Sequence, residues 1–123
     1  MNWRYCVVLA IALTFSNACR AADDWDRWDT ALLATASITT YIDWRQTQYI
    51  AQHPREFSET KNILGDHPTV GMVNAYFLRQ SALSLAIAHL LPSDARKVFL
   101  GAVTAIELDT TTNNRRIGVK FQF

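Results

Sequence analysis

The stretch Asp43–Phe77, DWRQTQYIAQHPREFSETKNILGDHPTVGMVNAYF, decides how the chain is read. Asp43, Gln46 and Thr47 fall late in one apolar segment, and a loop holding Pro54, Gly65 and Pro68 carries the chain into a second. His53-Pro54 ends the first segment, because the residue before a proline is pushed out of the helical region. Two apolar segments of helical period joined by a connection are the signature of a helical hairpin.

Upstream, Trp25–Gln52 reads as one long helix. Asp23, Asp24, Asp26 and Asp29 crowd its first turns, where carboxylates suit the positive end of the helix dipole. Leu32, Leu33, Ile38, Tyr41, Ile42 and Ile50 supply the expected apolar side, while Ile38-Thr39-Thr40 lowers intrinsic propensity. The connection from Arg55 to Pro68 is long. Phe57, Ile63 and Leu64 are expected to pin it down, Gly65 is free to take a positive φ, and Asp66 and Thr69 are both candidate N-caps.

Val70–Leu91 is the most apolar segment after the N-terminus, with Arg79-Gln80 near its middle. An arginine at bilayer centre costs about 2.5–3.5 kcal/mol on insertion scales, which argues against a simple span and for a packed helix that can touch lipid. Gly71, Ala75, Ala82, Ala86 and His89 form a stripe that would let another helix approach closely. Pro92 closes this segment. Ser93-Asp94 is expected to cap a third helix, carried by Val98, Phe99, Val103 and Ile106 to about Thr110. Thr110–Asn114 is expected to break it, and the alternating run Ile117–Phe123 reads as a short extended tail lying on the helices. The predicted fold is all-α, a small bundle of three main helices.

The N-terminus gives an address. Met1–Arg4 is a short basic lead, Tyr5–Phe15 is apolar and uncharged, and Ser16–Ala21 supplies small residues before Asp23-Asp24. That is the three-part pattern of a secretory signal, and the apolar run is short for a bilayer span. Residues 1–21 are therefore expected to be a signal and 22–123 a single helical domain. Two endings are open. Cleavage after Ala21 would discard Cys19, whereas Ser16-Asn17-Ala18-Cys19 also resembles a lipoprotein box in which Cys19 is lipidated, with Ser16 where leucine is usual. The other cysteine, Cys6, lies inside the apolar run, so no disulfide is expected in the mature chain.

With 123 residues, half of them hydrophobic, and a net charge of +1, the chain carries one domain and no basic footprint for nucleic acid. Asp43, Glu107 and His89 are the weak catalytic candidates: two acids and an imidazole converging between helices would make an acid–base or metal site. Their spacing is not diagnostic, and HExxH, CxxC, G-x-S-x-G and phosphate-cradling loops are all missing from the sequence. A buried acid paired for packing register is the stronger reading. No cofactor and no metal is expected, and no small-molecule ligand is indicated.

One resemblance covers most of the chain. Asp43-Trp44-Arg45-Gln46-Thr47, then Glu59-Thr60, then Ile63-Leu64-Gly65-Asp66-His67-Pro68-Thr69, then Tyr76-Phe77 and Ile117-Gly118-Val119-Lys120-Phe121 resemble the pattern D-W-x-Q-T, E-x-N-P-I-L-G-x-H-P-S, Y-F, I-G-V-x-F. That pattern is seen in a family of small uncharacterised exported proteins of bacteria, phages and prophages, many with lipoprotein-type signals. The resemblance implies a helical cell-envelope protein, with Asp43, Gln46, Thr47, Glu59, Gly65, His67, Pro68, Tyr76 and Phe77 as its structural motif. Lys61-Asn62 departs from it, standing where the family has Asn-Pro. The resulting expectation is an exported, membrane-associated, non-enzymatic protein with a membrane or envelope-protein partner. The alternatives are a membrane-proximal enzyme using Asp43, His89 and Glu107, or a phage-derived envelope or lysis accessory.

Overall fold

The protein is described by a computed structural model over residues 24–58 and 63–120. Three helices account for its regular structure there: α1 (Arg27–Gln52), α2 (Val70–Leu90) and α3 (Ser93–Arg116). No strand occurs among the described residues, and the fold is the all-α bundle expected. The segment expected to be a signal, Glu59, Lys61-Asn62 and the end of the expected tail lie outside the described residues.

Long-range hydrogen bonds fix the register. Asp29 meets Arg96 and Gln46 meets Asn114, so α1 and α3 run parallel. Trp44 meets Asn74 and Gln80 meets Glu107, so α2 runs antiparallel to both. The turn Leu91-Pro92 joins α2 and α3 in an antiparallel hairpin.

Each helix end has a chemical reason. Asp26 caps α1, accepting from the N–H groups of Trp28 and Asp29 at 2.8 Å each, while the Asp29 carboxylate accepts from the Asp26 N–H in return. That reciprocal box places the helix start two residues later than Trp25. Of the two candidate caps for α2, Thr69 is the one used, through Met72 N–H. Ser93 is already helical and Pro92 occupies the cap position of α3 with no side-chain bond, so the expected Ser93-Asp94 cap is not formed.

The largest departure is at the end of α3. Thr110–Asn114 does not break the helix, which runs on to Arg116. Thr110 and Thr111 turn their hydroxyls onto the carbonyls of Ile106 and Leu108, satisfying them within the helix, and Asn114 gives its amide to α1. The stop comes at Gly118, whose φ of +91° a side chain would resist. There Val119 N–H bonds to Asn114 O and Gly118 N–H to Arg115 O, the paired bonds of a Schellman ending. Val119 is then pressed against Tyr49, Ile50 and Phe57, so of the expected tail this one residue, placed after the turn, packs on the helices among the described residues.

The core is not the one the apolar pattern suggests. In α1 the buried residues are chiefly Asp29, Ala36, Thr39, Thr40, Asp43, Gln46, Thr47 and Ile50, whereas Ile38 and Tyr41 face solvent. In α3, Arg96, Leu100, Glu107, Thr111 and Asn114 are buried, whereas Val98 and Ile106 are exposed. Apolar packing gathers around Ala36, Ala88 and Leu100 near the middle, where the expected Leu32, Leu33, Phe99 and Val103 join them, around Tyr49, Ile50 and Val119 at one end, and at Val73 and Phe77 of α2. The rest of the α1–α3 seam is polar, and hydrogen bonds make that tolerable. In the connection, Phe57 reaches the body as expected, but Ile63 is exposed and pins nothing. Gly65 does take a positive φ, +81°.

Candidate functional site

The polar seam divides into three groups. Nearest the start of α1, Arg96 is fully buried and uses its whole guanidinium. Nη1 donates to Asp29 Oδ2 at 2.9 Å, Nε to Ala88 O at 2.8 Å and Nη2 to Leu91 O at 2.9 Å. The Trp25 ring covers its other side, 4.7 Å from Cζ to centroid. Arg96 thus closes the last carbonyls of α2 and joins all three helices. Lys97 adds a second cation, 3.0 Å from Asp26 and 3.2 Å from Asp29.

Charges in this cluster hold one another ionised. For Asp29, burial opposes the charge but is outweighed by the Asp26 N–H, Lys97 and Arg96, and its carboxyl stays below the usual range. Asp26 is lowered by the Asp29 N–H and then by Lys97, and Lys97 is raised chiefly by its bond to Asp26.

Midway, Gln80 Nε2 donates to Glu107 Oε1 at 3.0 Å, joining α2 to α3. Toward the far end, Asp43 Oδ1 accepts from Thr47 Oγ1 and from Asn114 Nδ2, each at 3.4 Å. Asn114 Nδ2 also reaches Gln46 Oε1 at 3.2 Å, and Gln46 Nε2 reaches Thr111 O at 3.3 Å. Asp43, Gln46 and Thr47 therefore do act together, but the partners found for them are on α3 rather than on the Gly65-His67-Pro68 corner. Of that corner, Pro68 is buried and His67 is exposed. Arg79, near the middle of α2, also faces solvent.

The three catalytic candidates do not meet. Asp43 and Glu107 are both buried in the bundle. His89 is exposed, with Nδ1 on Leu85 O at 3.0 Å and its ring 4.8 Å from Trp25. It stands nine residues along α2 from Gln80, the residue bonded to Glu107, a separation of roughly 13 Å at 1.5 Å per residue. No group of three His, Cys, Asp or Glu side chains among the described residues is arranged to hold a metal ion.

The motif aromatics serve packing. Phe77 is buried and stacks on Trp44 with centroids 6.0 Å apart, and Tyr76 meets it edge-on. Trp44 Nε1 and Gln48 Nε2 both donate to Asn74 Oδ1, at 2.9 and 2.6 Å, fixing α1 against α2. Beside this contact a hollow of about 400 Å³ opens between α1 and α2, lined by Leu33, Ser37, Tyr41, Trp44, Ser84 and Leu85. It holds no ionisable group except the Tyr41 phenol.

Sequence reading missed Arg96, Asn114 and Thr111. Each sits in a run that looks exposed or non-helical when read alone, and the available signal was spacing: Glu107, Thr111 and Asn114 are four and three apart, one stripe of a helix. Neither a protein-family model, nor a curated protein, nor a solved structure matches this chain.

Proposed function

We propose that the chain is a small exported protein of the cell envelope that associates with membrane and acts by structure or interaction rather than by catalysis. The observation that carries this reading is the inverted distribution of side chains. Hydrogen-bonded polar groups fill the seam between α1 and α3, while Trp28, Ile38, Leu78, Leu83, Leu90 and Ile106 stand outside at 59–76% exposure. Exposed apolar side chains that fall together on one helix face, as Leu78, Leu83 and Leu90 do on α2, mark an interaction surface. The buried acids serve as register-fixing bonds between helices, which agrees with a non-catalytic role. The N-terminal pattern Met1–Ala21 supports export, and the motif resemblance supports an envelope address. No helix among the described residues is long and apolar enough to cross a membrane, so association is at a surface or through a lipid on Cys19.

The test is metabolic labelling with a clickable fatty acid, followed by fractionation, comparing the wild type with Cys19→Ala. Label and membrane recovery that both disappear in the variant establish lipidation. Membrane recovery without label leaves the peripheral form of the proposal. Recovery wholly in the soluble fraction, without label, overturns membrane association.

A further inference from the structure

Helix α2 carries large apolar side chains outside as well as the buried Val73, Phe77 and Ala88 inside. Its polar side chains Asn74, Gln80 and Ser84 face the bundle, where Asn74 accepts from Trp44 and Gln48, and Gln80 donates to Glu107. Other large apolar side chains turn outward: Met72, Leu78, Leu83 and Leu90 are 47–76% exposed, and Leu85, 44% exposed, stands at the edge of this face beside the hollow against α1. At 100° per residue these fall on one arc of about 160°, opposite the buried Val73, Phe77 and Ala88. The stripe Gly71, Ala75, Ala82 and Ala86, expected to admit a neighbouring helix, lies on the same outward arc and is exposed. Nothing in the chain's described residues covers it.

Charge decides what does. The 21 residues of α2 contain no acid, and their one permanent cation, Arg79, lies on the outward arc at the helix midpoint. A second copy packed antiparallel along this face would set Arg79 against its own equivalent, a like-charge contact that costs affinity. An anionic lipid surface does the opposite: it takes up the leucines and methionine at the acyl boundary and pairs the guanidinium with headgroup phosphates. The small residues between the leucines keep the arc flat enough to lie along an interface.

We infer that the outward arc of α2 is a docking surface for an anionic bilayer, on which the helix lies in the plane of the interface with Leu78, Leu83 and Leu90 immersed and Arg79 on the headgroup phosphates. The inference rests on the membrane-associated reading above and names the face and the lipid class.

The test uses the full chain with Cys6→Ser and Cys19→Ser and a single environment-sensitive fluorophore at Leu83→Cys, or at Asp109→Cys on the exposed side of α3 as control. Vesicles contain either phosphatidylcholine alone or phosphatidylcholine with one-third phosphatidylglycerol. The expected result is a blue shift at position 83, quenched by nitroxide-labelled lipid, with the anionic vesicles and not at position 109. Arg79→Gln should weaken the titration about fivefold and Arg79→Glu further, both being solvent-exposed changes, with circular dichroism confirming the fold. Vesicle flotation with position 83 still in water overturns the inference, because another segment then does the binding. A concentration-dependent shift without vesicles, together with a doubled mass, overturns it in favour of a second copy. Cell fractionation bears on the broader reading separately: membrane recovery with an unshifted probe defeats only the α2 surface, and soluble recovery with a shifted probe defeats only the cellular assignment.

Discussion

Arg96 and Asp29, 67 residues apart in sequence, form a 2.9 Å ion pair in which neither side chain is exposed to solvent. The pair ties the first turn of α1 to the first turn of α3, and the two further bonds of Arg96 to Ala88 O and Leu91 O bring in the end of α2. Removing Arg96 leaves the buried Asp29 carboxylate with Lys97 alone and strips two carbonyls of their donor, and breaking a buried pair in this way costs about 3–5 kcal/mol. Arg96→Met should therefore destabilise by that amount in urea unfolding. Asp29→Leu combined with Arg96→Met should recover part of the loss, and the remainder reports the two carbonyls left without their donor. Equal and additive losses in the two single variants would show that the pair is not coupled.

The same cluster sets the pH limits of stability. Asp26 and Asp29 have folded-state pKa values below their unfolded ones, so their contribution is complete above about pH 4 and is lost as pH falls through the depressed folded values. Lys97 is raised, so its contribution is complete below about pH 10 and is lost as pH rises through the higher folded value. Unfolding midpoints should fall at both extremes. Asp29→Asn should flatten chiefly the acid limb and Lys97→Met chiefly the alkaline one, and because the groups hold one another ionised each should also shallow the opposite limb by a smaller amount. An unchanged acid slope in Asp29→Asn would mean that other carboxylates govern acid unfolding.

Gly118 ends α3 at φ +91° and directs Val119 onto Tyr49 and Ile50. A β-carbon at positive φ costs about 1–2 kcal/mol per residue, and nothing lies within 4 Å of the position that a new methyl would strike. Gly118→Ala should thus act through the backbone alone: stability falls by about 1 kcal/mol, and limited proteolysis after Arg115 or Arg116 becomes faster. Gly101, in the middle of α3 with open space around its Cβ, gives the opposite expectation, since Gly101→Ala should stabilise by about 0.5–1 kcal/mol. Chemical denaturation of the two variants side by side checks both signs.

How much of this was readable beforehand depended on whether the signal was local. Helix ends governed by proline, the Gly65 turn and the grouping of Asp43, Gln46 and Thr47 follow from spacing and backbone chemistry within a few residues. The orientation of the helices about their own axes did not follow. Periodicity assigns Leu32, Leu33, Phe99 and Val103 to a core, where they do pack, but it also assigns Ile38, Val98 and Ile106, which face solvent while Thr39, Asp43, Glu107 and Asn114 point inward. Helix propensity likewise counted Thr110–Asn114 as a break, because it could not register that α1 supplies acceptors for Asn114. What was hidden is long-range polar pairing, which leaves no mark in either segment alone.

That pairing can be turned against the fold at one atom. Asn114 Nδ2 lies 3.4 Å from Asp43 Oδ1 and 3.2 Å from Gln46 Oε1, all three side chains being buried. Asn114→Asp keeps the shape but replaces the donor with a second carboxylate beside Asp43. Two carboxylates in one buried site cannot both ionise readily, so one folded-state pKa rises above its unfolded value. A raised carboxyl contributes stability below the unfolded pKa and loses it as pH rises, the reverse of Asp29. Asn114→Asp should therefore be destabilised by several kcal/mol at pH 7 and recover relative to the wild type between about pH 6 and pH 4. Asn114→Ala, lacking the new charge, should lose about 1–3 kcal/mol at both ends of that range. If Asn114→Asp tracks the alanine variant at every pH, Asp43 and position 114 do not share the buried site described for them.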